Sequence, residues 1–224
     1  MLLGYALAEW RRTPVPERSL TQGELCDGRP GALCTLEHRA YSLAQDVGER
    51  LAERHCLLVT AESITVGSLA ATFGTTRWAG LVLAGGIVAY DTAVKAALLD
   101  VPAAPDAAWS DLNEAMVSEA AALDMVNGLH ALFEPLNVWR EEAGRQRRAC
   151  AYVALTGAAT TWRGKPRLYI ALRLGDEPAE VVETALRDDL EGRPEERVTN
   201  IQLAVVHALE LLQARLAVSE DNGG

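Results

Sequence analysis

The chain predicts a three-layer α/β domain, with helices on both faces of a mixed, mostly parallel sheet. Short apolar runs of strand character alternate with stretches of helical periodicity from about residue 38 onward. A length of 224 residues with 49% hydrophobic content is enough for one core and hardly for two. No internal repeat interrupts the alternation.

Residues 1–36 carry Pro14, Pro16, Gly23, Gly28, Pro30 and Gly31 with little periodicity, which predicts an irregular N-terminal extension. Ala40, Leu43, Ala44, Val47, Leu51 and Ala52 recur at helical spacing and predict an amphipathic helix over 38–54. A buried strand over 57–60 is followed by a helix over 65–73, closed by Gly74. Gly85-Gly86 splits the next apolar run, so strand character is expected from about Gly86 to Tyr90. A short helix over 92–99 ends before Pro102, and 103–112 reads as loop. Ser118 is a natural N-cap for a helix to Leu132, with loop over 135–148. Strands are expected at Cys150–Thr156, Arg167–Leu174 and Glu180–Leu186, and a long closing helix at 195–217. The expected organisation is thus an extension over 1–36, one domain over 37–219 and a disordered tail over 220–224.

A net charge of −10 argues against nucleic acid, whose phosphates demand a basic surface. No stretch approaches the roughly 18 consecutive apolar residues of a membrane span. Met1–Ala8 is apolar, but Glu9, Arg11 and Arg12 follow at once, so no signal peptide is expected and the chain reads as cytoplasmic. Cys26, Cys34, Cys56 and Cys150 lack metal-like spacing and are read as reduced thiols. His38, His55, His130 and His207 form no zinc-binding pattern, so no metal is expected.

Chemistry concentrates in two blocks. In the first, Leu57–Thr60 runs into Ala61-Glu62-Ser63-Ile64-Thr65-Val66-Gly67 and then a helix. A serine at such a strand–turn–helix junction lies beside helix N–H groups that can hold an anion or a developing oxyanion. No histidine follows nearby, so a serine nucleophile needs another base. The second block, Gly85-Gly86-Ile87-Val88-Ala89-Tyr90-Asp91-Thr92-Ala93-Val94-Lys95, offers Tyr90 and Lys95. Read alone, Ser63 is equally an N-cap, Tyr90 a rim aromatic, Lys95 a solvated charge, and Glu62 an acid favoured by the helix dipole. Thr156-Gly157 alone is an ordinary turn, and Arg193 and Arg197 either face a phosphate or are surface charges.

Together the two blocks resemble the C-terminal domain of the CinA family, the nicotinamide-nucleotide amidases. The family pattern TAESCTGG stands here as TAESITVG, and GGxxxYxNxxK as GGIVAYDTAVK. Met116-Val117-Ser118-Glu119, Gly128, Leu155-Thr156-Gly157-Ala158, Lys165-Pro166 with Leu168–Ala171, and Gly192–Arg197 follow in family order, extending the resemblance over about 38–216. The resemblance implies hydrolysis of nicotinamide mononucleotide to the nicotinate form and ammonia, without metal or organic cofactor. It makes Ser63 the nucleophile, Lys95 the base and Tyr90 its relay. Glu62, Thr65, Gly67, Thr156, Gly157, Arg193 and Arg197 would seat the substrate. It also implies a homo-oligomer and a form standing without the family's upstream domain.

The pattern departs at four places. Ile64 replaces the family Cys, Val66 a Gly, and Thr92 an Asn, while the glycine-rich loop becomes Gly157-Ala158-Ala159-Thr160-Thr161-Trp162-Arg163-Gly164. A loop that binds through bare N–H groups tolerates bulk badly. Kept nucleophile and base with an altered cradle fits a changed substrate, or a relative that binds nucleotide or protein without turnover.

Overall fold

The computed structural model describes residues 31–102, 115–142, 144, 148–161 and 164–221. In chain order the elements are α1 (Gly31–Glu53), β1 (Leu57–Glu62), α2 (Ser68–Gly74), α3 (Ala79–Val82), β2 (Leu83–Val88), α4 (Thr92–Leu99), α5 (Glu119–Glu142), β3 (Cys150–Ala158), β4 (Arg167–Leu174), β5 (Glu180–Ala185) and α6 (Glu196–Asp221). One five-stranded sheet has the order β2-β1-β3-β4-β5. β1 pairs in parallel with both β2 and β3, and β3–β4 and β4–β5 are antiparallel.

The pleat divides the core in two. Leu58 on β1, Val153 and Leu155 on β3, and Ile170 and Leu172 on β4 face the layer of α1, α2 and α6. Their alternates Val59, Ala61, Tyr152, Ala154 and Ala171 face the layer of α4 and α5. β1 is buried at every position because both faces are covered, which is why it reads as a continuous apolar run. The parallel half brings the C-terminal ends of β1, β2 and β3 to one edge of the sheet, where such folds place their ligands. α6 is long and apolar enough to cross a membrane between Glu196 and Val218. It is a core helix, burying Val205, Leu209, Leu212 and Leu216 against the sheet and α1.

Several boundaries differ from the sequence reading. α1 begins at Gly31, seven residues before 38 and inside the expected extension. Cys34 on it is buried and disulfide-bonded, which corrects the reading of all four cysteines as reduced. α2 starts at Ser68, because Val66 and Gly67 take left-handed backbone at φ 53° and 89° and hold 64–67 as a turn. β2 starts at Leu83 and passes through Gly85-Gly86; as an edge strand paired only with β1, it tolerates glycine. α5 runs to Glu142, through the expected loop and past Pro135. A proline there forfeits a hydrogen bond at about 3 kcal/mol, but it is exposed. The apolar stripe of Ala122, Met125, Val126, Leu129 and Phe133 keeps the preceding turns on the core. α6 extends through 221, into the expected tail. Residues 1–30, the 103–112 loop and 222–224 lie outside the described residues.

Candidate functional site

The strand–turn–helix at Ser63 is organised by a buried carboxylate. Glu62 is 1% exposed and accepts from Thr60 Oγ1 (3.1 Å), Thr65 Oγ1 (2.7 Å), Leu69 N (2.9 Å) and Ala70 N (2.8 Å). The first-turn N–H groups of α2, an obvious anion site in the sequence, are therefore already satisfied by the protein's own carboxylate. Glu62 and Thr65 come together as one cap, both buried. Ser63 is 6% exposed, and its amide donates to Leu155 O at 2.9 Å, extending the β1–β3 ladder by one step. By pleat alternation Ser63 follows Ala61 onto the α4/α5 face. Val66 is half-exposed on the outside of the turn, and Gly67 lies under Val88.

On that same face lies Lys95, brought in by α4. Asp91 caps this helix, accepting from Ala93 N at 2.7 Å. Its C-terminal end is clamped by α5 at Gly128, where a Cβ would come within 2.0 Å of Leu99 O. Only glycine lets the two helices approach this closely. Lys95 is 2% exposed, and its amine donates to Met116 O and Thr156 Oγ1, each at 3.2 Å. Thr156 Oγ1 in turn donates to Met116 O at 2.6 Å. Burial alone pulls the Lys95 amine down to about 8. Thr156 stands beside Ser63 across the parallel ladder, since Leu155 pairs with Glu62.

Tyr90 is 58% exposed and does not join this group. Its hydroxyl accepts from Arg197 Nη2 at 3.2 Å, and the guanidinium lies 5.7 Å from the ring centroid. Tyr90 and Arg197 thus form a rim pair between the end of β2 and the start of α6. Arg193 is exposed in the turn before α6, its amide bonded to Leu190 O. Gly157 is packed rather than open: a Cβ there would meet Arg167 O at 2.3 Å and Ile64 Cδ1 at 2.9 Å.

Two residues missed in the sequence fix the segment after β3. Glu196 is buried and accepts from Thr161 N (2.7 Å) and Gly192 N (3.4 Å). Asn200, fully buried, donates to Ala159 O (3.0 Å) and Arg187 O (2.9 Å) and accepts from Arg187 N (2.9 Å). A polar Asn on the buried face of an apolar helix was the available signal. Trp162 and Arg163 lie outside the described residues.

A surface cavity of about 480 Å³ opens between the start of β4 and the end of β5, lined by Gly164–Arg167 and Glu183–Ala185. It is at the same sheet edge, yet none of the predicted site residues lines it. Among the described residues, His130 and Glu134 on α5 and Asp176 after β4 bring ligand atoms within 4.8 Å of one another, the one group that could hold a metal. They lie at the opposite edge, where His130 Nε2 sits 3.3 Å from Asp176 Oδ1, an arrangement that an imidazole between two carboxylates already explains. Cys56 and Cys150 are buried thiols outside any disulfide, and burial pushes the Cys56 thiol up to about 11, away from nucleophilic use.

The family model of the CinA C-terminal domain matches residues 40–135, which hold both motif blocks. Among solved structures, a CinA superfamily protein from Klebsiella pneumoniae superposes with a TM-score of 0.60 at 24% identity, over 80% of this chain and 98% of its own. The competence damage-inducible protein A from another Klebsiella pneumoniae strain gives 0.60 at 25% identity, over 80% and 97%. A CinA superfamily protein from Escherichia coli gives 0.56 at 21% identity, over 88% and 99%. No curated protein matches the chain. The low identities suit the departures at Ile64 and Val66, and the superpositions carry the fold beyond the matched segment. Residues 40–135 thus carry the signature of the CinA C-terminal domain, and the chain shares its fold with CinA superfamily proteins.

Proposed function

We propose that the protein is an amidase that hydrolyses a nicotinamide nucleotide, nicotinamide mononucleotide, to the nicotinate form and ammonia. The observation that carries this reading is Lys95: a buried amine, lowered to about 8, held by two neutral oxygens beside the Ser63 turn. A structural lysine would be paired with a carboxylate or left in water; one buried among neutral acceptors suits a general base. In this reading Ser63 Oγ attacks the amide carbon while Lys95 takes its proton. Ammonia leaves, and water attacks the acyl-enzyme to release the acid. Tyr90, with Arg197, stands at the rim of the substrate's approach. The chemistry calls for no metal or organic cofactor.

A second reading, a nucleotide- or protein-binding relative without turnover, draws on the segment after β3. There Thr161 N and Gly192 N are already taken by Glu196, so they do not await a phosphate. Ammonia release by purified protein, from nicotinamide mononucleotide and nicotinamide riboside at matched concentrations, separates the readings. Turnover should rise with pH through about 8 as Lys95 deprotonates. Ser63→Ala should abolish it with a stability change of no more than about 1 kcal/mol. Full activity in Ser63→Ala removes the serine mechanism; binding of either compound without ammonia favours the second reading.

A further inference from the structure

We propose that Thr156 is a positioning residue that, with the Met116 carbonyl, fixes how the Lys95 amine spends its hydrogens; this rests on Lys95 acting as the base. The direction of each bond follows from the donors available. A backbone carbonyl only accepts, so the 2.6 Å contact commits the Thr156 hydroxyl hydrogen to Met116 O. Thr156 Oγ1 then presents only lone pairs to Lys95, 3.2 Å away, and the amine must donate to it. The amine donates to Met116 O as well.

A neutral amine has two N–H bonds and one lone pair. The two acceptors take both N–H bonds, which turns the lone pair away from Met116 and Thr156. Without the Met116 carbonyl, the threonine hydroxyl could donate to the nitrogen and occupy the lone pair a base needs. In this arrangement Thr156, at 0% exposure, acts on the base, a role different from the substrate seating that the family resemblance implies.

The neighbouring charges do not substitute for this arrangement. Glu62 on β1 is bonded to four donors. Asp91 caps α4, Asp100 is exposed at its other end, and Glu119 is exposed on the first turn of α5. Burial is the cause of the lowered amine.

The chain contains two lysines, Lys95 and the exposed Lys165, so a ¹³C-lysine-labelled sample yields one side-chain NMR titration for each. The wild-type Lys95 Cε midpoint should lie near 8. An acceptor oxygen favours the ammonium over the amine, so Thr156→Val should lower that midpoint by about half a unit or more. Thr156→Ser should restore it, and Lys165 should stay fixed. Thr156→Ala carries the same expectation if the valine variant does not fold. With an amide substrate, Thr156→Val should lower kcat by about 10- to 100-fold with KM unchanged, and shift the acid limb of the pH–rate profile along with the NMR midpoint. A Lys95 midpoint unchanged in folded Thr156→Val or Thr156→Ala overturns the proposal. A midpoint that moves in a protein that hydrolyses no amide leaves the positioning role standing and removes the amidase reading instead.

Discussion

At one edge of the sheet, two ionisable side chains are buried on opposite faces and are handled in opposite ways. On the α2 face, Glu62 accepts four hydrogen bonds, two of them from the first turn of the helix it caps. On the α4/α5 face, Lys95 meets two neutral oxygens. The first arrangement satisfies the carboxylate as fully as an interior can and locks a turn. The second leaves an amine for which burial disfavours the charged form, a cost that a merely structural residue has no reason to carry. Near-identical burial thus separates a group that builds the site from one that fits a role within it.

The largest expected effect is the loss of Glu62. Glu62→Ala removes the acceptor for Leu69 N, Ala70 N, Thr60 and Thr65 together. Breaking a buried charged network costs about 3 to 5 kcal/mol. Chemical denaturation should show a loss of that order. A loss under about 1 kcal/mol would mean that water replaces the carboxylate, and the contrast with Lys95 would collapse.

Lys95→Met should act in the opposite sense. The amine lies near 8 in the folded state against 10.5 ordinarily, so the unfolded chain holds more protons between those values. Wild-type stability should therefore fall as pH drops from about 10.5 to 8, with the full cost present below 8. That difference corresponds to about 3 kcal/mol. Lys95→Met should be more stable than wild type at neutral pH by up to that amount, the gain vanishing above about pH 10.5, and should lack amidase activity. A variant less stable than wild type at neutral pH would show that the two hydrogen bonds outweigh desolvation, and that Lys95 is structural.

The same contrast shows where the sequence could be read. The elements came through because β1 is apolar at every position and α1 and α6 keep a helical stripe, patterns that a single residue's surroundings do not disturb. Ser118 was legible as a cap, and it does accept from Ala121 N at 3.1 Å. The run of α5 through Pro135 was not, because packing overrode a local penalty. At the site, the family resemblance selected Lys95 and Thr156 but could not show that they bond to each other, which depends on α5 closing over α4 at Gly128. Glu62 was read among substrate ligands; its four partners lie as far as eight residues ahead, on a helix that had to be folded back over it. Asn200 left the signal of a polar residue on an apolar helix face, but the partners of Glu196 and Asn200 were not legible because they are carbonyls and amides, which every residue carries.

The smallest expected effect lies beside Glu62, at Val66. This residue is β-branched with φ 53°, a conformation in which a Cβ crowds the following carbonyl. The strain is on the order of 1 to 2 kcal/mol. Glycine removes it but adds freedom to the unfolded chain, which offsets up to about 1 kcal/mol. Val66→Gly should therefore stabilise the protein by less than about 1 kcal/mol, read as a small rise in melting temperature. The more telling readout is ligand binding. Val66 is 47% exposed on the turn that carries Ser63, so removing its side chain opens space there while leaving the bonds of Glu62, Lys95 and Thr156 in place. If Val66 is what narrows this turn toward an anionic substrate, Val66→Gly should tighten binding of nicotinamide mononucleotide more than of nicotinamide riboside. Equal effects on the two compounds would place the phosphate elsewhere, at Arg193 or Arg197. A loss of stability on substitution would mean that the valine side chain contributes packing that outweighs its strained backbone.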